Sequence, residues 1–162
     1  MSSPQIVIKS VAWDSPEAHH LTAVRFRVFV DEQRVPAEEE IDAFDPVAYH
    51  LLALADGAPV GAARLYEPPD QPDVGRIGRM AVLAEWRGHN IGRALLVELM
   101  RIGYARRYER LFLDAQLHAI GFYEKAGFTV CGGEHMDAGI PHRAMDIPRD
   151  EVPGVLSKFQ LS

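Results

Sequence analysis

The chain has 162 residues and a mass of 18.0 kDa, a size that predicts one domain over residues 1–162. Hydrophobic residues make up 48% of it, enough to fill one core without a disulfide or a metal. Seventeen Lys and Arg against 23 Asp and Glu give a net charge of −6 and a pI near 5.6, which disfavours a nucleic-acid-binding protein. No apolar run approaches the ~20 residues of a membrane-spanning helix, so we expect no membrane partner.

The compartment is predicted from the N-terminus and from the single cysteine. Residues 1–5 carry no basic segment followed by an apolar stretch, so we expect no secretory leader. Cys131 can form neither an intramolecular disulfide nor a multi-thiolate zinc site. We therefore expect a cytoplasmic protein without a metal, and Cys131, in an apolar run, as a small core residue.

A strand over residues 6–8 and a helix running toward Val30 open the chain. Asp14 and Ser15 precede Pro16, and a capping side chain followed by proline is typical of a helix start. Helical spacing predicts that the buried side of this helix carries Leu21, Val24, Val28 and Phe29. We expect Arg25 and its neighbour Arg27 to lie on other faces of the helix.

The middle of the chain predicts a surface segment and then a hairpin. Residues 31–45 are acidic and contain proline, which favours a loop or a short helix on the surface. Two apolar runs follow, over 49–55 and 59–66, and Asp56-Gly57 joins them. An Asp-Gly pair between such runs is a strong hairpin signal.

The second half alternates strands and helices. Residues 91–108 have apolar positions spaced four, four and three apart, which predicts a helix packed on a sheet. Gly127 is placed to end a short helix over 118–125. The remaining strands are predicted at 74–82, 111–115, 128–131 and 144–147. The order indicates a mixed α/β fold with a mixed sheet.

A glycine-containing turn between a strand and the long helix is the first motif with chemical meaning. Free amides at a helix N-terminus, reinforced by the positive end of the helix dipole, suit phosphate groups. The turn runs from Arg87 to Arg93, and Gly88 and Gly92 would let a ligand approach the backbone. It is neither a Walker A loop nor a good Rossmann fingerprint. Taken alone, it could equally be a turn that binds nothing.

The second motif is Gln116–Phe128, which ends in a Tyr-x-x-x-Gly-Phe sequence. Together the two motifs resemble the GNAT-type N-acetyltransferase superfamily in order and separation. The segment Val28–Pro36, the acidic run through Asp42 and Gly139–His142 further resemble its ElaA-like branch. The resemblance covers nearly the whole chain. It implies a mostly antiparallel twisted sheet of six to seven strands flanked by about four helices.

The resemblance implies acetyl-CoA as cosubstrate, with the turn amides holding its pyrophosphate and one strand pairing with its pantetheine arm. The cofactor-binding residues it implies are Met80, Ala81, Val82, Arg87, Gly88, His89, Asn90, Ile91, Gly92, Arg93 and Gln116. Tyr123 is the implied catalytic acid that meets the departing sulfur. Asn90 stands where the turn usually has glycine, but Asn tolerates a positive φ. Gln116 stands where many relatives have Asn, and Gly78 where many have a carboxylate that helps deprotonate the amine.

The general base stays open at this point. Candidates that could accept the proton of an amine are His118, His142, Glu32, Asp114 and His50. Ordinary surface or core roles explain each of them equally well. The run Glu38–Asp42 could attract a cationic acceptor, although such runs are more often a solvated face.

The sequence therefore predicts an N-acetyltransferase that moves the acetyl group of acetyl-CoA to a primary amine by direct attack. The acceptor could be a small molecule or an amine of a peptide or protein, and homodimerisation stays open. A second hypothesis is a non-catalytic acyl-CoA-binding sensor or scaffold. A third is another nucleotide-binding α/β domain. The tail 148–162 could extend the sheet, cover a partner or be loose.

Overall fold

The computed structural model describes residues 3–160, which form seven strands, five α-helices and one π-helical segment over Phe26–Glu32. The outermost residues of both termini, on which part of the leader and tail expectations rest, lie outside the described residues. The strands are β1 Ile6–Ser10, β2 Tyr49–Ala55, β3 Ala58–Tyr66, β4 Val74–Val82, β5 Arg110–Gln116, β6 Thr129–Asp137 and β7 Ile140–Pro148. The α-helices are α1 Ala18–Arg25, α2 Ala37–Glu40, α3 Ile91–Ala105, α4 Ile120–Lys125 and α5 Val152–Gln160.

The seven strands have the order β1-β2-β3-β4-β5-β7-β6. The pairs β1–β2, β2–β3, β5–β7 and β6–β7 are antiparallel, and β4–β5 is parallel. The predicted mixed α/β fold and the Asp56-Gly57 hairpin are confirmed. The chain divides into two compact units: the described residues up to Tyr66 together with Arg79–Leu96, and Glu67–Gly78 together with the described residues from Val97 onward.

The first unit buries an apolar core beneath α1. Leu21, Val24 and Val28 are at most 3% exposed, which confirms the predicted inner face of this helix. They pack with strand residues such as Leu52 and Ala81. Two predictions for this region are wrong: no side chain caps the helix, and Arg25 is buried at 1% exposure.

In the second unit, β5 has one buried face and one half-buried face. Leu111, Leu113 and Ala115 are buried, whereas the residues between them are only half-buried. Gly103 lets α3 approach this buried face, because a Cβ there would lie 2.6 Å from a methyl group of Leu111. We call the opposite face, which carries Asp114, Gln116, His135 and His142 by register, the polar face.

The C-terminal segment forms α5 rather than a strand. Val152 at its start is 1% exposed, so the helix is packed onto the second unit. Gly127 has φ +90°, as its predicted role after α4 requires, and a Cβ there would lie 2.8 Å from Val155. No helix of residues 3–160 is long and apolar enough to cross a membrane.

Cys131 is exposed on β6, so the prediction that it is a core residue is wrong. The strand lies at the edge of the sheet and is mostly exposed, although its sequence is apolar at this point. An edge strand pairs with another strand on one side only, so its residues can remain exposed. The local sequence does not reveal that β6 is an edge strand.

Candidate active site

The turn before α3 has the backbone geometry of an anion site. Gly88 has φ +85° and Asn90 has φ +61°, so Asn90 does adopt the left-handed conformation that glycine would otherwise supply. The α3 ladder begins with the Ala94 amide donating to the Asn90 carbonyl at 3.0 Å. The amides of Ile91 and Gly92 precede that bond in the first turn of α3, where amides have no acceptor within the helix. A Cβ at Gly88 would meet nothing within 4 Å, so the turn is open on that side.

The Arg87 side chain braces this turn rather than extending from it. Its guanidinium donates to both Glu32 carboxylate oxygens, at 2.7 and 2.8 Å, and to the Val82 carbonyl at 3.0 Å. The hydrogen bond from Arg87 lowers the pKa of Glu32. A carboxylate held in this way is a poor proton acceptor, so Glu32 loses its place among the candidate bases.

The C-terminal part of β4 leads into the turn. Ala81 is buried in the core of the first unit, whereas Met80 and Val82 are half-buried. Just before them Arg79 has φ +50°, a left-handed conformation that interrupts the regular extended geometry within β4. Its guanidinium donates to the Glu40 carbonyl at 3.2 Å and to Asp42 at 3.3 Å. No sequence signal indicated this interruption.

Arg25, Glu40, Asp45 and Arg64 form a buried ion network in the first unit. Arg25 donates to Glu40 at 2.6 Å and to Asp45 at 2.8 and 3.1 Å, and Arg64 donates to Asp45 at 2.8 Å. The expectation of a surface segment over 31–45 is therefore wrong for Glu40 and Asp45, which are 2% and 0% exposed.

His50 belongs to the same network and not to an accessible site. Its Nε2 lies 2.8 Å from the Asp45 carbonyl oxygen, and its ring stacks on Trp13. The side chain is 1% exposed, and burial lowers the pKa of the imidazole. His50 therefore has a structural role and loses its place among the candidate bases.

The polar face of the second unit gathers two of the candidate bases. The Asp114 carboxylate is bonded to Arg76 through Oδ2, and its Oδ1 lies 3.4 Å from Nε2 of His135. The rings of His135 and His142 stack with centroids 6.1 Å apart. Sequence reasoning missed Arg76 and His135, because only the strand register places them beside Asp114. His118 lies apart from this set, exposed on the 3₁₀ turn over 117–119.

Tyr123 lies in α4 and is 8% exposed. Burial is the cause that raises the pKa of its hydroxyl. The ring makes edge contacts with Phe122 and Phe128, and no group of residues 3–160 forms a hydrogen bond with the hydroxyl. The contacts of the ring therefore fix the position of the side chain, and the hydroxyl remains protonated at every physiological pH.

The structure places the implied cofactor-binding residues in two sets. The strand end and the turn, from Met80 to Arg93, are continuous in the first unit. Gln116, at the end of β5, and Tyr123 belong to the second unit. The open turn and the first-turn amides of Ile91 and Gly92 suit a pyrophosphate by their geometry, and the backbone at the end of β4 suits an extended amide-containing chain.

The mixed seven-stranded sheet and the turn between β4 and α3 are those of an acyltransferase fold. A model of the acetyltransferase (GNAT) family matches residues 15–128. YjcF, an uncharacterized N-acetyltransferase of Bacillus subtilis, is 37% identical over 123 residues, which cover 75% of this chain and 86% of YjcF. The chain therefore belongs to the GNAT acetyltransferase family.

Two crystal structures show the same fold. Escherichia coli ElaA superposes with a TM-score of 0.78 at 26% identity, covering 88% of this chain and 99% of ElaA. An acyl-CoA N-acyltransferase from Pseudomonas aeruginosa superposes with a TM-score of 0.76 at 28% identity, covering 89% and 99% of the two chains. The resemblance to the ElaA-like branch is confirmed.

Proposed function

We propose that this protein is an N-acetyltransferase that moves the acetyl group of acetyl-CoA to a primary amine by direct attack. The observation that carries the proposal is the open turn between β4 and α3, with positive φ at Gly88 and Asn90 and the first-turn amides of Ile91 and Gly92 beyond it. Those amides would hold the pyrophosphate, and the backbone of residues 80–82 would pair with the pantetheine arm. The bound thioester supplies an activated acetyl group.

Tyr123 has the properties of the group that meets the sulfur. Its hydroxyl is protonated, held by its ring and without another hydrogen-bond partner among residues 3–160. A thiol with a pKa of about 8.5 is a stronger acid than a tyrosine whose pKa lies above 10. Full proton transfer to the thiolate is therefore uphill, and Tyr123 stabilises the departing sulfur as a hydrogen-bond donor.

The acceptor must arrive as a neutral amine. For a lysine-like amine with a pKa of ~10.4, losing the proton costs about 4 kcal/mol near pH 7.4. A general base is therefore part of the proposal, and the pairing of Glu32 with Arg87 and the burial of His50 favour another residue in that role.

Calorimetric titration with acetyl-CoA tests the cosubstrate. We expect micromolar binding by the unmodified chain and at least tenfold weaker binding by the Arg87→Ala/Arg93→Ala variant, about 1.4 kcal/mol. The matched control is Arg101→Ala/Arg106→Ala, which removes the same charge from exposed positions in and just after α3. No binding at millimolar acetyl-CoA would reject the proposal.

A non-catalytic acyl-CoA sensor is the second candidate function, favoured by Gly78, which lacks the carboxylate that the resemblance described above implies at this position. The two functions differ in turnover. A sensor would bind acetyl-CoA without releasing free CoA in the presence of any amine from a broad panel. An acetyltransferase would release CoA and form an equal amount of amide.

A further inference from the structure

The polar face of the second unit holds one histidine whose protonation pattern is fixed by its contacts. Nδ1 of His142 lies 2.7 Å from the backbone carbonyl oxygen of Ile140. A carbonyl can only accept a hydrogen bond, so Nδ1 carries the proton. In the neutral ring this leaves Nε2 with a lone pair that can accept a proton. The local backbone therefore sets the tautomer that a general base requires.

The position of His142 in the sheet connects it to the rest of the site. His142 pairs in register with Gln116, the last residue of β5, and with His135 on β6. From Gln116 the chain continues through the 3₁₀ turn into α4, which carries Tyr123. His142 thus lies at the end of the sheet from which the tyrosine helix departs. Its 8% exposure keeps the ring largely out of bulk water.

The charged groups around His142 can be named from each neighbouring element. Asp114 of β5 is paired with Arg76 of β4, so its carboxylate is already occupied. His135 of β6 stacks on the ring of His142 and reaches toward Asp114. His118 lies on the turn that packs against β7, and Glu134 and Arg143 lie on the opposite face. Among these groups, His142 combines a fixed tautomer with an unengaged lone pair.

We propose that His142 is the general base of the acetyl transfer, with His135 and Asp114 as positioning residues. The inference rests on the proposed function. Nε2 of His142 accepts one proton from the acceptor ammonium, which gives the neutral amine and an imidazolium. The amine nitrogen then forms a bond to the acetyl carbonyl carbon as the carbon–sulfur bond breaks. The second nitrogen proton goes to the sulfur, which leaves as the thiol, and the imidazolium returns its proton to water.

The His142→Gln variant tests this role. We expect kcat at pH 7 to fall about 100-fold with an unchanged KM for acetyl-CoA, because a base acts on the acceptor and not on coenzyme binding. The inflection that a base gives to the pH–rate profile should be lost, so that activity keeps rising with pH as the free amine becomes more abundant. His142→Asn should behave in the same way, which separates lost chemistry from a packing defect.

His19→Gln is the matched control. Its Nδ1 also faces a backbone carbonyl, that of Pro16 at 2.6 Å, and its ring also packs on a second histidine, but it is exposed on α1. We expect this variant to keep the kcat and the pH profile of the unmodified enzyme. A threefold or smaller effect of His142→Gln, or an equal loss in His118→Gln, would overturn the inference while leaving the acetyltransferase function standing.

Nitrogen-15 NMR of the full chain gives a readout that does not depend on turnover. The expected spectrum near pH 8 shows His142 protonated at Nδ1 and unprotonated at Nε2. An Nε2–H tautomer would contradict the proposed base. If the protein binds acetyl-CoA but transfers its acetyl group to no amine, the proposed function and this inference are both overturned.

Discussion

At the scale of single residues, Tyr123 and Arg87 show how burial and pairing determine what a side chain can do. Burial raises the pKa of the Tyr123 hydroxyl and makes it a permanent donor. Arg87 is instead engaged by Glu32 and the Val82 carbonyl, so it stabilises the turn from outside. We therefore expect a change at Tyr123 to lower kcat and a change at Arg87 to weaken coenzyme binding.

Replacing Tyr123 with phenylalanine should lower kcat by about 10- to 100-fold, because a hydrogen bond to a charged group contributes roughly 1.5–3 kcal/mol. Coenzyme binding, followed by calorimetry, should be unchanged since the ring contacts remain. Tyr108→Phe is the matched control, as Tyr108 is equally buried at 8% exposure. A loss of less than about threefold in Tyr123→Phe with intact coenzyme binding would remove the proposed role in catalysis.

At the scale of elements, the buried ion network attaches the segment 37–47 to α1 and β3. Asp45 accepts hydrogen bonds from Arg25 and Arg64, and Arg79 reaches the same segment from β4. Burial acts to raise the pKa of Asp45, but the hydrogen bonds and positive charge of Arg25 outweigh it and lower the pKa to about 2. Of the four acids in the run Glu38–Asp42, Glu40 and Asp42 are engaged by arginines, so only the exposed Glu38 and Glu39 are available to attract a cationic acceptor.

Asp45→Asn should reduce the free energy of unfolding by about 3–5 kcal/mol near pH 7, because it leaves buried arginines without their counter-charge. Urea denaturation measures the change, and Asp14→Asn, at an exposed position of the same unit, should change it by less than about 0.5 kcal/mol. An Asp45→Asn variant as stable as the unmodified chain would show that the network is not required for folding.

The same network predicts a stability that depends on pH. A carboxyl with a folded-state pKa of about 2 and an unfolded value of 3.8 stabilises the fold above pH 4 and loses this contribution as the pH falls toward 2. The loss is about 2 kcal/mol. Burial raises the pKa of Glu40, which acts in the opposite direction. The difference in unfolding free energy between the unmodified chain and Asp45→Asn should therefore shrink between pH 4 and pH 2.

Local pattern was sufficient for the elements but not for their long-range contacts. The Asp-Gly turn, the spacing of Leu95 and Leu99 and the glycine after α4 each depend on neighbours in sequence, and the structure confirms all three. The burial of Arg25 depends on Glu40 and Asp45, 15 and 20 residues away. No periodicity encodes such a pairing, since it forms only after the segment has folded back onto α1.

The polar face illustrates the same limit for the candidate site. Asp114 and His142 were candidates by residue type, but the tautomer of His142 depends on the Ile140 carbonyl and the state of Asp114 on Arg76. These contacts follow from strand register, which a single sequence does not specify. The acetyl-CoA donor, the amine acceptor, the single-domain boundary and the cytoplasmic location remain predictions.

At the scale of the whole molecule, ligand binding should appear as increased stability. Acetyl-CoA at 100 times its Kd should stabilise the chain by about 2.7 kcal/mol and raise the midpoint of thermal unfolding accordingly. ATP and NAD at equal concentrations should leave the midpoint unchanged, which separates an acyltransferase from another nucleotide-binding α/β protein. Equal shifts with all three ligands would contradict the predicted specificity.

The exposed thiol of Cys131 has a practical consequence for all these measurements. Reagents that detect released CoA through its thiol will also modify Cys131, the single cysteine of the chain, and add one equivalent of background per protein molecule. Partial desolvation by neighbouring groups and the negative charge of Asp146 raise the pKa of this thiol, so the background will develop slowly at neutral pH and faster in alkaline buffer. Because Cys131 is exposed and is the single cysteine, it is also an attachment point for a fluorescent dye near Asp146 and Asp114, without any engineered residue.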